Sequence, residues 1–178
     1  TRYRGRADVT LFVLPDQTSV AGVFTRSKCP SAPVDWCRSV LQGGTPSAGS
    51  AAGNTVRALL INAGNANAFT GAVGAQACAH TAAAVAGALG CAPEAVLLSS
   101  TGVIGEPLEA EAIGAAAVRR TEDAAEASLE AAAAAIATTD TFAKWAQAEA
   151  ACSGNRAVSV VGIAKGSGMI APDMATML

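Results

Sequence analysis

The sequence predicts one α/β domain over residues 1–178, with mixed sheets and layered helices. Three observations predict it. Apolar residues make up 51% of the 178, enough to fill a single core at this length. Short β-rich runs share the chain with Ala-rich segments of helical period. Two of the apolar runs lead directly into Gly-rich loops, the usual order of strand and site in α/β folds.

Taken in order, residues 8–14 (DVTLFVL) and 19–25 (SVAGVFT) are β-rich and flank PDQT, a Pro/Asp turn signal, which predicts a hairpin. Pro33 stands at a first helical position, and Val34, Cys37, Val40 and Leu41 share one face of a helix over 33–42 that Gly43 and Gly44 end. Residues 43–55 are low in complexity and read as a surface loop. Residues 56–63 (VRALLINA) form a short apolar run, a buried strand that enters the loop NAGNANAFTG at 62–71. A helix follows over 74–89, stopped by Gly90. The apolar AVLLSS is a strand that runs into TGVIGEP. Two more helices are predicted over 107–120 and 122–136, with Thr121 as the N-cap between them. After TTDT, residues 142–149 and 156–163 alternate around CSGN and predict a second hairpin, which delivers residues 164–178 as a final loop and strand.

Composition excludes several function classes. A net charge of −2 with scattered Lys and Arg offers no footprint for a phosphate backbone, so no nucleic-acid partner is expected. The apolar runs are interrupted well short of the ~20 residues of a membrane span. The opening TRYRGRADVT lacks the apolar stretch of a secretory signal. Cys29, Cys37, Cys78, Cys91 and Cys152 are odd in number, widely spaced and accompanied by one histidine, His80; the expectation is small buried hydrophobes in a reducing compartment, with no metal site.

Three loops combine small residues with hydroxyls: 62–71, STGVIG at 100–105, and KGSGMIAPDMATML at 165–178. No phosphate-binding GxxxxGK[ST] occurs, STGVIG lacks the GxGxxG spacing, and each loop taken alone is more often a structural turn than a site. His80 has no neighbouring carboxylate, and there is no GxSxG elbow. A hydroxyl nucleophile here therefore needs another base, and the α-amine of an N-terminal Thr, with a pKa of about 7.7–8.0, is one.

The terminal segment resembles the processing and nucleophile motif of the ornithine acetyltransferase family (bifunctional glutamate N-acetyltransferase and amino-acid acetyltransferase): Lys165, Gly166, Met169, Pro172, Met174, Ala175, Thr176, Met177 and Leu178 match KGxxMxxPxMATML. STGVIG, TTDT at 138–141, VFTR with APV at 23–34, and NAGNANA at 62–68 are similar to other family segments. The resemblance implies an N-terminal-nucleophile-like (DmpA/ornithine acetyltransferase-like) architecture completed by a second chain, this being the amino-terminal half, with autocleavage between Ala175 and Thr176. It implies Thr176 as nucleophile, Thr101 and Gly102 as the oxyanion hole, and Thr139 and Lys165 as substrate contacts. The implied reaction belongs to arginine biosynthesis and moves the acetyl group of N-acetylornithine to glutamate through an acetyl-threonine. No cofactor is implied; use of acetyl-CoA as a co-substrate is left open. The implied partner is the carboxyl-terminal β chain, in a dimer of αβ units without nucleic acid or membrane, in the cytoplasm or alternatively a mitochondrial matrix or plastid. An N-terminal-nucleophile amidohydrolase or aminopeptidase is the rival reading.

Overall fold

The computed structural model describes residues 3–42, 55–123, 128–152, 156–168 and 178. Its centre is β2 (Thr55–Asn65), the strand predicted from VRALLINA. Ala58 and Leu60 face a cluster built with α2 (Gly71–Leu89), β3 (Val96–Val103) and α3 (Ala110–Asp123), to which Cys78, Ala82, Val85, Leu98, Ile113 and Ala117 contribute. Ile61 and Ala63, which alternate with them, are also buried, and α4 (Leu129–Ile136) packs on β2 and on β1 (Val9–Ser19). Burial on both faces explains a near-continuous apolar run where a half-solvated strand would alternate.

The first sheet has the order β1-β2-β3, with β1 antiparallel and β3 parallel to β2. The predicted hairpin over 8–25 is corrected: residues 9–19 are one strand, and residues 20–25 form none. The pairing slips between Val13↔Ala58 and Thr18↔Val56, so PDQT is a bulge. Gln17 takes a left-handed φ of 66°, Thr18 Oγ1 donates to the Pro15 carbonyl (2.7 Å), and Arg57 of β2 pairs with the Asp16 carboxylate. Turn and bulge use the same residue chemistry, and the choice fell to burial: β1 finds a partner in the apolar β2, whereas Val23 is 79% exposed.

Helix α2 starts three residues before the predicted Gly74, and Gly90 caps it in the left-handed region (φ 65°) with its N–H on the Ala86 carbonyl, as expected. It is long and apolar enough by composition to cross a bilayer, yet its Cys78, Ala82, Val85 and Ala86 face lies in the core. The predicted break at Thr121 is corrected. Thr121 lies inside α3 and donates its hydroxyl back to the Val118 carbonyl (2.7 Å); the true N-cap is Ser128, whose Oγ accepts from Ala131 N (3.1 Å) and opens α4.

Helix α1 (Ala32–Gln42) closes part of the free edge of β3, because the Trp36 Nε1–H donates to the Val96 carbonyl (2.9 Å) and the Cys37 thiol to the Leu98 carbonyl (3.1 Å), while Leu98 N–H donates to Cys37 Sγ (3.4 Å). The second hairpin stands as predicted: β4 (Lys144–Cys152) and β5 (Arg156–Ala164) pair antiparallel from Lys144↔Ala164 to Cys152↔Arg156 and form a separate sheet. Cys37 and Cys78 are buried as expected, but Cys29 and Cys152 are exposed, since the loop before α1 and the far end of the hairpin lie outside the core.

Candidate active-site cleft

Past Leu98 none of the described residues pairs with the outer edge of β3. Leu98 presents both its N–H and its carbonyl to α1, and alternation along a strand turns the peptide groups of Ser100 and Gly102 to the same side. A cleft of about 830 Å³ lies there, lined by Leu98 to Ile104, by Thr138, Thr139 and Lys165, by the segment before α1, and by Leu178.

The floor of this cleft is held by unusually close strands. Gly102 pairs with Gly64, with φ values of 137° and 104°, and a Cβ on Gly102 would stand 2.3 Å from the Gly64 carbonyl carbon and 2.5 Å from Asn65 N. Only glycine fits there. The NAGNANA loop braces the same point. Ser100 Oγ donates to Asn62 Oδ1 (2.6 Å), Asn62 Nδ2 donates to the Asn65 carbonyl (2.9 Å), and Asn65 Nδ2 reaches the Glu106 and Pro107 carbonyls (both 3.1 Å). Asn67 is fully buried at φ 46°; its amide donates to the Gly74 carbonyl (3.0 Å) and accepts from Thr70 Oγ1 (2.8 Å), and its carbonyl accepts from Ala32 N (3.1 Å). The loop thus ties β2 to the starts of α1 and α2, and its asparagines hold the backbone.

Lys165 follows β5 and is 4% exposed. Its ammonium donates to Thr101 Oγ1 (2.9 Å) and Thr138 Oγ1 (2.8 Å), joining the second sheet to the open edge of the first. Burial pushes its pKa down, against the upward pull of Asp140. Lys165 N–H donates to the main-chain oxygen of Leu178 (3.0 Å). Asp140 accepts from Lys144 Nζ (2.6 Å), Gly166 N (2.8 Å) and Thr138 N (3.3 Å). Burial alone would raise its carboxyl, but these donors and the Lys144 charge outweigh burial and hold it at about 2. The arrangement offers a desolvated cation, two hydroxyls and outward peptide N–H groups around one cavity, a set suited to stabilising negative charge on a carbonyl oxygen or binding a carboxylate.

Comparison with known proteins decides the lineage. The profile of the ArgJ family matches residues 1–178. The chain belongs to the ArgJ family. Arginine biosynthesis bifunctional proteins ArgJ of Bradyrhizobium diazoefficiens and Nitrobacter winogradskyi are each 52% identical over 177 residues, 99% of this chain. The chain spans about 40% of the length of these curated relatives. The crystal structure of ArgJ from Bacillus halodurans superposes with a TM-score of 0.78 at 31% identity, covering 99% of this chain and 85% of that one. Ornithine acetyltransferase complexed with ornithine from Mycobacterium tuberculosis superposes with a TM-score of 0.74 at 31% identity, covering 96% and 84%. The α/β architecture expected from the sequence is that of these ArgJ-family structures.

Among the residues singled out in the sequence, Thr101, Gly102, Thr139 and Lys165 all line the cleft. Ala175 and Thr176 lie outside the described residues. His80 is exposed on α2. Sequence reasoning missed Thr138, whose hydroxyl holds Lys165 while the neighbouring Thr139 is exposed, and Asp140, which closes the base of the second hairpin. Both belong to TTDT, so the motif carried the signal without saying which member faces Lys165.

Proposed function

We propose that this ArgJ-family chain and the carboxyl-terminal part of the protein together transfer an acetyl group from N-acetylornithine to glutamate. The observation that carries the reading is the buried Lys165 ammonium held between Thr101 and Thr138 at the open edge of β3, with Leu178, two residues past Thr176, bonded to Lys165 N. Thr176 Oγ attacks the acetyl carbonyl after giving its proton to its own α-amine, and the C–N bond to ornithine breaks as ornithine takes a proton. The acetyl-threonine ester is then attacked by the glutamate amine, which forms N-acetylglutamate and restores the hydroxyl. Thr101 and the Gly102 N–H hold the developing oxyanion, where each donor contributes about 2.7–4 kcal/mol. Lys165, with Thr139, holds a substrate carboxylate. No cofactor enters the reaction.

The free α-amine arises by self-cleavage, in which Thr176 Oγ attacks the Ala175 carbonyl, the acyl group shifts from N to O, and water opens the ester. The bacterial origin of the relatives supports a cytoplasmic setting. Intact-mass analysis of the full-length protein tests the scheme: wild type appears as two chains and as an acetyl adduct on Thr176, whereas Thr176→Ala stays whole. An uncut wild type, an adduct elsewhere, or hydrolysis of acetylornithine that glutamate cannot divert would overturn it.

A further inference from the structure

The antiparallel register that sets Lys144 opposite Ala164 brings the residues just before β4 and just after β5 together at the base of the hairpin. Asp140 sits at that junction with its side chain 1% exposed. One of its oxygens accepts from both Lys144 Nζ and Gly166 N, and the other from Thr138 N. Through Gly166 it fixes the peptide that follows Lys165, and through Thr138 it fixes the residue whose hydroxyl receives the Lys165 ammonium. Gly166 itself takes φ 153°, in the region that favours glycine. The hydroxyl partners of Lys165 are neutral, and the Asp140 carboxylate, itself paired with Lys144, favours the charged form of Lys165.

We propose that Asp140 is a positioning residue of the cleft: through Gly166 and Thr138 it keeps Lys165 in place at the open edge of β3 without touching substrate. The inference rests on the acetyl-transfer reading above for its functional consequence, though not for its physical content. Among the described residues, the charged groups that act on Lys165 are Asp140 and Lys144. With Asp140 neutralised, burial and the like charge of Lys144 both favour loss of the Lys165 proton.

The test uses the full-length protein with lysines carrying ¹³C at the ε position, Lys165 being assigned by its absence in Lys165→Arg. In Asp140→Asn the titration midpoint of Lys165 falls, because losing a neighbouring opposite charge disfavours the charged form. In Asp140→Glu the midpoint stays near wild type. The alkaline limb of kcat/KM for acetyl transfer moves down with the midpoint in Asp140→Asn. In Asp140→Glu it stays, while kcat drops because the longer arm displaces Gly166. A folded Asp140→Asn protein whose Lys165 midpoint does not move overturns the proposal. Should that variant not fold, Lys144→Met serves: removing the like charge raises the Lys165 midpoint, and a midpoint unmoved or lowered overturns it. If the variants show the stated midpoint shifts while wild type transfers no acetyl group, the acetyl-transfer reading alone is sunk.

Discussion

Replacing Gly102 with alanine imposes two separate penalties whose sizes follow from the backbone. The φ of 137° is one that side chains rarely adopt, which costs about 1–3 kcal/mol. The new Cβ would also lie 2.3–2.6 Å from the Gly64 carbonyl and Asn65 N, all backbone atoms that cannot swing aside. Relief requires β2 and β3 to part, an overpacking cost of about 1–3 kcal/mol more. Gly102→Ala should therefore destabilise the full-length protein by about 2–6 kcal/mol in urea denaturation. Two controls separate the terms. Gly105 has φ 86° but nothing within 4 Å of its Cβ position, so Gly105→Ala incurs only the backbone term of about 1–3 kcal/mol. Gly87 sits in α2 with nothing within 4 Å, and Gly87→Ala should stabilise by roughly 0.5–1 kcal/mol. Parting the strands also moves Thr101 and the Gly102 N–H, and a displacement near 1 Å should lower the proposed acetyl transfer about 100-fold. If Gly102→Ala were no less stable than Gly105→Ala, or kept full activity, the argument from close strand approach would be wrong.

Asn67→Ala should cost about 3 kcal/mol or more by urea titration, since it leaves the Thr70 hydroxyl and Gly74 carbonyl without their buried partner and puts alanine at φ 46°; a cost under about 1 kcal/mol would mean the loop is not braced as described. The Asp140 carboxyl, held at about 2 against an ordinary 3.8, is depressed on folding, so its stabilisation is present above pH 3.8 and is lost as pH falls toward 2. That amounts to about 2 kcal/mol for a fully buried side chain, and Asp140→Asn should flatten this part of the acid-denaturation profile; an unchanged slope would refute the assignment. Burial raises the thiols of Cys37 and Cys78, the latter to about 12, so neither should react with iodoacetamide in native protein at neutral pH; labelling of either before global unfolding would contradict their packing.

Much of the chemistry was legible in the one-dimensional order of residues because it is carried by residue types that cannot substitute for each other. Glycine at 90 for a left-handed cap and the apolar run of β2 announce themselves through local sterics and composition, whereas Gly102 and Lys165 stood out only through the family resemblance of STGVIG and KGSGM. Local signals failed where two structures share one chemistry. PDQT suits a turn or a bulge, and only the long-range pairing of β1 with β2 chose the bulge. Thr121 suits an N-cap or a helix interior, and only the packing of α3 on α2 carried the helix through it. TTDT names three threonines and an aspartate, but which hydroxyl meets Lys165 and which carboxylate oxygen receives Gly166 depend on the register of β4 with β5, which brings together residues 26 and 27 positions apart in the chain. By itself, then, the sequence determined the α/β class through composition and periodicity, and pointed to the family and to the segments that line the cleft through the resemblance of its motifs. The tertiary structure decided which atoms meet there, because burial and strand register are properties of pairs of residues far apart in the chain.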